Sequence, residues 1–337
     1  MLHRFYQLLI YLLVLHLVFL EHFQKQILYI IYFGLTVIEI IFLLFGKMPL
    51  FDAIATALGT AGTGGFGIKN DSIAGYSVYI QWVVTIFMIL FGVNFNAYYL
   101  AFFGSLKEAL HVEEVRHYFL IILASVVIIS INIVHMCSGI FDAVTKAAFQ
   151  VGSIITTTGF STTDFDKWPE FSKGILTLLM FIGACAGSTG GGIKVSRCVI
   201  AVKSIFKELT SYIHPKSVKK ITFEHKPVDH DVIRSINVYF MTFIVVFVAS
   251  TLIVSIEGYD FTTNFTAVAA TINNIGPGLS HVGPVQNFGF FNNLSKYVLM
   301  FDMLAGRLEL FPLLILFHPA IWKDCFIQAD KRVKERR

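Results

Sequence analysis

Charge is scarce in this chain. Asp, Glu, Lys and Arg make up 14% of its 337 residues, where about 25% is usual for a soluble domain. That excludes an ordinary water-soluble globule. Cysteine is scarce as well. Cys137, Cys185, Cys198 and Cys325 lie far apart with no metal-binding or redox spacing, so they read as packing residues. The alternating segments of about ten residues that mark a membrane β-barrel are missing, because the apolar stretches run much longer. No small-residue cleavage site follows the first apolar run, so no cleavable signal is evident. Paired catalytic carboxylates, a Ser/His pair and an HExxH pattern are absent, and no enzyme site is expected.

What is plentiful is apolar. The hydrophobic share is 55%, the mean hydropathy is +0.70, and there are 34 Phe. These values point to an all-α polytopic membrane protein. Candidate spans lie at 5–22, 26–46, 77–104, 117–137, 173–204, 235–257 and 292–317. Most reach the roughly 20 residues that cross a bilayer. Shorter apolar segments near 51–61, 142–155 and 262–272 suit re-entrant half-helices. The unit of span, half-helix, glycine loop and span therefore occurs three times.

Charge orients these units. The connections 105–117 and 194–234 and the tail 318–337 carry two, nine and six Lys/Arg, and Arg4 and Lys25 lie near the start. The segments holding the glycine loops carry Asp52, Asp71, Asp142, Asp164, Asp166 and Asp260 instead. Basic segments stay cytoplasmic, so the glycine loops open outward. The net charge of +4 is a topology signal and calls for no nucleic acid. The basic tail 331–337 suits the same signal or a touch on anionic lipid.

The loops read Thr63-Gly64-Gly65-Phe66-Gly67, Thr156-Thr157-Thr158-Gly159-Phe160 and Asn273-Asn274-Ile275-Gly276-Pro277-Gly278. Non-helical backbone at membrane depth survives only inside protein or along a wet cavity. Rings of backbone carbonyls replace the hydration shell of a potassium ion in channels. Each half-helix aims its partially negative C-terminal end at the cavity, which favours a cation. A single such loop reads rather as a helix-packing or turn device. Three in equivalent places point to a pore.

A second cluster, Gly183-Ala184-Cys185-Ala186-Gly187-Ser188-Thr189-Gly190-Gly191-Gly192, interrupts the span 173–204. Glycine costs a helix about 1 kcal/mol relative to alanine. The cluster reads as a flexible barrier beneath the filter or as a small-residue packing face. A phosphate loop is excluded, because no Ser/Thr follows Lys194. Arg307 stands in the last span, where a charge costs at least about 2.5 kcal/mol. It reads as a pore-facing positive charge that limits cation occupancy, or as a snorkelling or helix-pairing arginine. Asp302 is similarly placed, and the His residues show no ligand spacing.

These segments resemble the TrkH/TrkG/KtrB/HKT superfamily of potassium transporters. The resemblance lies in Leu50-Phe51-Asp52-Ala53 with Thr63-Gly64-Gly65-Phe66, and in Thr156-Thr157-Thr158-Gly159-Phe160 with Thr163-Asp164. It continues in Ala186-Gly187-Ser188-Thr189 with Gly191-Gly192-Ile193-Lys194-Val195, in Asn274-Ile275-Gly276-Pro277-Gly278-Leu279 and in Gly306-Arg307-Leu308-Glu309, and covers about 26–322. The TrkH branch looks nearest.

The resemblance implies tandem span–pore helix–span repeats around a pseudo-four-fold ion pore, three of the family's four being present. It implies that potassium, the transported ion, meets backbone carbonyls of a filter formed by Thr63, Gly64, Gly65, Phe66, Thr157, Thr158, Gly159, Phe160, Asn274, Ile275, Gly276 and Pro277. Gly65, Gly159 and Gly276 are then the central glycines. Residues Gly187, Ser188, Thr189, Gly190, Gly191 and Gly192 fall in an intramembrane gating loop, 183–192, and Arg307 matches the family's basic residue. The family further implies a homodimer in the bacterial cell membrane, docked on a TrkA/KtrA-type cytosolic subunit. That subunit binds ATP, ADP or NAD(H), and this chain itself binds no cofactor.

The expected division is a non-matching apolar segment 1–25, pore repeats 26–110, 111–210 and 233–322, a basic connection 211–232 and a basic tail 323–337. The three repeats resemble the family's second, third and fourth. The first is missing, so a truncated or split-gene product is expected, with a separately encoded first repeat among its partners. Gly67 stands where the family usually has Ser.

Overall fold

The computed structural model describes residues 26–214, 220–224, 226–308, 310–316 and 319. The expected span 5–22, Arg4, Lys25 and most of the tail lie outside the described residues.

Three units follow one another. The first is α1 (Gln26–Phe45), α2 (Leu50–Ala61), α3 (Val78–Phe91) and α4 (Phe95–Phe103), with α5 (Leu106–His111) leading onward. The second is α6 (Glu113–Ile133), α7 (Ile140–Ile155), α8 (Glu170–Ile182) and α9 (Val195–Ile213). The third is α10 (His230–Val254), α11 (Phe261–Ile272), α12 (Asn293–Arg307) and α13 (Leu310–Ile315). The short helices α2, α7 and α11 match the expected half-helices. Two of them, α7 and α11, differ from the spans in burial, whereas α2 leaves Leu50, Phe51 and Leu58 exposed. All but a few positions of α7 and α11 are enclosed by protein, whereas α1, α6 and α10 leave Phe33, Leu120, Leu123, Ile131, Met241, Val245 and Leu252 exposed. An apolar surface of that kind is what lipid requires.

Local chemistry sets the helix starts. Ser77, Asn94, Asp260 and Asn292 each accept a backbone N–H of the first turn of the helix that follows. Pro49 and Pro169 precede α2 and α8. Asp52 in the first turn of α2 accepts the Tyr76 hydroxyl at 2.6 Å, so at least this outward carboxylate is structural.

The segment 77–104 is not the single straight span that its hydropathy predicts. It bends by 92° between α3 and α4. Gly92 ends the first helix and Asn94 caps the second. Their backbone is used elsewhere: Cys185 N–H donates to Gly92 O and Phe95 N–H to Gly187 O, both at 3.1 Å. The span 292–317 is likewise divided, with Leu308 ending α12. The expected break in 173–204 is present as the loop between α8 and α9. The connection 211–232 contains one small element, the antiparallel pair β1 (Thr222–Phe223) and β2 (Lys226–Pro227).

The units are joined in sequence order. Helix α3 packs on α7, α8 packs on α11, and α9 packs on α10. The abundant Phe fills the second of these seams, where Phe181, Phe243, Phe247 and Phe265 meet at ring separations of 5.1–6.4 Å. On the outer side, Ile73 N–H donates to Ser161 O at 3.1 Å and Ser280 N–H to Asp166 Oδ1 at 2.9 Å. The result is an arc of three units with the half-helices on its inner side.

Candidate functional site: converging loops and the glycine hairpin beneath them

Each half-helix ends in the same backbone figure. Thr63, Thr157 and Asn274 have φ of 48°, 58° and 56°. In each loop the next N–H reaches back to the helix: Gly64 to Gly59 O at 2.8 Å, Thr158 to Ser153 O at 2.9 Å and Ile275 to Ala270 O at 2.8 Å. Two residues beyond the first positive φ stand Gly65, Gly159 and Gly276, at φ of 64°, 87° and 102°. Non-glycine residues rarely hold such angles, so three copies in one chain form a repeated device.

The glycines also fix the order of the loops. A Cβ on Gly65 would overlap Thr158 O, and a Cβ on Gly159 would overlap Ile275 O. The first loop thus abuts the second through its glycine, and the second abuts the third. A Cβ on Gly276 would meet no atom within 4 Å. Its side of the arc faces a cavity of about 730 Å³ lined by Gly62, Thr63, Phe66, Asn274, Gly276 and Arg307. Phe66 is 80% exposed toward it, whereas Phe160 is fully buried against Gly59 of the neighbouring half-helix. The sequence treats these two Phe residues alike. They differ because Phe160 has a neighbouring unit to pack on, while Phe66 has none among the described residues.

The second glycine cluster lies directly under the three loops. Thr63 Oγ1 donates to Thr189 O at 3.0 Å, and Gly191 N–H donates to Thr157 Oγ1 at 2.6 Å. A Cβ on Gly191 would stand 2.7 Å from Asn273 O. One hairpin therefore touches all three loops. Lys194 Nζ donates to Gly190 O within it.

Arg307 joins the same assembly from the end of α12. Its Nη1 donates to Thr63 Oγ1 at 3.3 Å and to Thr189 O at 3.1 Å, and its Nη2 donates to Gly62 O at 3.2 Å. The side chain bridges the first loop, the hairpin and the third unit. Its neighbour Glu309 lies outside the described residues. Asp302 is buried and accepts the Ser250 hydroxyl at 2.8 Å, a helix-pairing contact between α12 and α10. Among the described residues no group of three or more His, Cys, Asp and Glu could hold a metal ion.

Sequence reasoning missed one participant. Glu114, 2% exposed at the start of α6, accepts the N–H groups of Ala186 and Ser196 at 2.6 and 3.1 Å. A lone acid at a span end gives no signal of that kind.

Apolar spans around inward half-helices, whose loops converge above a glycine hairpin, define the class: a polytopic membrane protein with a re-entrant pore architecture. The sequence matches the TrkH family, described as cation transport protein, over residues 8–324, and the chain belongs to that family. The match begins inside the segment 1–25. The Trk system potassium uptake protein TrkH of Salmonella typhimurium is 36% identical over 304 residues, covering 88% of this chain and 62% of the relative. The Trk system potassium uptake protein TrkG of Escherichia coli is 33% identical over 282 residues, covering 82% and 57%. The crystal structure of the potassium transporter TrkH from Vibrio parahaemolyticus superposes with a TM-score of 0.82 at 34% identity, over 88% of this chain and 64% of that one. The chain thus spans under two thirds of the length of these proteins. Family and apolar helices together make it a multi-pass protein of a bacterial plasma membrane.

Proposed function

We propose that this chain supplies three walls of a potassium-selective pore and serves potassium uptake across the membrane. The observation that carries the reading is the threefold backbone figure at Thr63–Gly65, Thr157–Gly159 and Asn274–Gly276, each loop abutting the next. Backbone carbonyls held this way suit a dehydrated monovalent cation. The names of the relatives supply the ion. In this reading the hairpin 187–192 is the gate and Arg307 holds it against the first loop. A homodimer and a TrkA/KtrA-type cytosolic nucleotide-binding subunit belong to the same proposal. Its support is the family and the basic cytoplasmic connections.

A second reading is favoured by the open side of the arc. With Gly276 facing the cleft and Phe66 uncovered, the described residues leave room for a fourth wall. In that reading the chain conducts only when a further repeat, from the same gene or another, fills the cleft. The two readings separate in one experiment. A bacterium deficient in potassium uptake is transformed with the coding sequence, with and without the DNA upstream. Growth at low potassium in both arms supports a pore made by this chain. Growth only with the upstream DNA supports the fourth-wall reading. Growth in neither arm, with the protein in the membrane, removes the transport proposal.

A further inference from the structure

The loop between α8 and α9 is fastened at two levels. Its tip is tied to the converging loops through Thr189 and Gly191. Its feet are tied to a carboxylate. Glu114 Oε1 accepts Ala186 N–H on the way in and Ser196 N–H on the way out. Ser196 lies in the first turn of α9, so the negative charge also meets the positive end of a helix. Oε2 accepts the Asn94 amide at 3.3 Å. Asn94 caps α4 at the 92° bend, where Gly92 O accepts Cys185 N–H and Phe95 N–H donates to Gly187 O. One buried charge therefore joins the loop's two feet to each other and to the bend that the loop rests on.

Charge-assisted bonds are about twice as strong as neutral ones. The tip is held by neutral hydroxyl and amide groups and by Arg307, which donates to Thr189 O. Moving the hairpin out from under the loops must break those contacts and strain the Glu114 bonds at its feet. The next residue in the chain carries a related link. Glu113 pairs with Lys203 and accepts Glu224 N–H at 3.1 Å, which ties α6 to the turn between β1 and β2 on the cytoplasmic side.

We propose that Glu114 is a latch for the hairpin: a positioning residue whose carboxylate sets how often the pathway beneath the filter opens. The proposal rests on the reading of 187–192 as a gate. Two variants probe it. Glu114→Gln keeps the volume but removes the charge and turns a donor toward the bonds. Asn94→Asp leaves Glu114 in place. It preserves the cap on α4, since Asp caps as well as Asn, and it sets a like charge against the carboxylate.

The test uses the full chain in its native transport complex, reconstituted in liposomes. Rubidium influx, the rubidium-to-sodium ratio and amide hydrogen exchange over 184–196 are measured. Both variants are expected to raise influx about tenfold, the effect of weakening roughly one charge-assisted bond, at an unchanged ion ratio. Exchange over 184–196 should quicken while 140–160 stays protected. A general loss of structure would lower influx and would expose 140–160 as well. Unchanged exchange over 184–196 overturns the latch, and so does faster exchange with level or reduced influx. If Glu114→Gln does not reach the membrane, Asn94→Asp decides. If the unmutated complex moves no rubidium, the transport reading has failed, and the exchange comparison still decides whether Glu114 fastens the loop.

Discussion

Gly159→Ser lowers potassium-over-sodium selectivity by about tenfold or more in a flux assay, on the scale set when one filter contact of about 1.4 kcal/mol is lost. Two effects act together. The backbone at residue 159 has a φ of 87°, a conformation that costs a non-glycine residue roughly 1–2 kcal/mol. The new Cβ would also overlap Ile275 O, a backbone atom of the next loop. A carbonyl cannot yield as a flexible side-chain end does, so the third loop must shift. Selectivity depends on the number and placement of such carbonyls, and the damage reaches two walls at once. Gly139→Ser is the control. It sits in an exposed turn where a Cβ meets nothing within 4 Å, and it should leave selectivity untouched. Unchanged selectivity in well-expressed Gly159→Ser protein would remove the filter assignment.

Gly276→Ser extends this test to the open side of the arc. Among the described residues its Cβ meets nothing, so only the φ of 102° opposes it. With a fourth wall in place, the new side chain would strike that wall's carbonyl, as Gly159→Ser strikes Ile275 O. Loss of selectivity equal to that of Gly159→Ser indicates a closed ring in the working protein. A clearly smaller loss indicates that nothing abuts Gly276.

The half-helices were legible in the sequence because length alone separates them from spans. A segment of 12 residues such as Leu50–Ala61 or Phe261–Ile272 cannot cross a bilayer. The loops were legible because Thr-Gly and Asn-Ile-Gly strings at equal places betray a shared backbone figure. The break at 183–194 was legible in its density of glycine. The bend at Gly92–Asn94 was not, although Gly followed by an Asn cap is a stop and a start. The run of apolar residues on both sides outweighed that signal. The partners of Arg307 were beyond reach for a different reason. Thr189 and Thr63 stand 118 and 244 residues away, and no periodicity links them. Glu114 is the same case: the sequence shows an acid beside a span, and only the fold shows two amides aimed at it.

Deleting residues 187–192 raises cation flux by roughly a hundredfold at most and about tenfold at least, taking the tip contacts at about 1 kcal/mol each. The deletion removes the acceptor on Thr189 that Thr63 and Arg307 share, and the Gly191 N–H that Thr157 accepts. It also removes the carbonyl of Gly187 that holds the bend through Phe95 N–H. What remains can close. The feet of the loop already meet: Val195 N–H donates to Ala184 O at 3.0 Å, and Lys194 N–H donates to Ile182 O at 3.0 Å. The Glu114 contacts to Ala186 and Ser196 lie outside the deleted stretch, so the shortened connection keeps its anchor. The converging loops keep their own backbone bonds to Gly59, Ser153 and Ala270, so rubidium should still pass in preference to sodium. Flux that rises with its ion preference retained is the mark of a lost gate. Flux that rises with the preference lost means that the hairpin also props up the loops from below. Level or reduced flux in protein that reaches the membrane would show that the hairpin is a packing element, the alternative that its small residues left open.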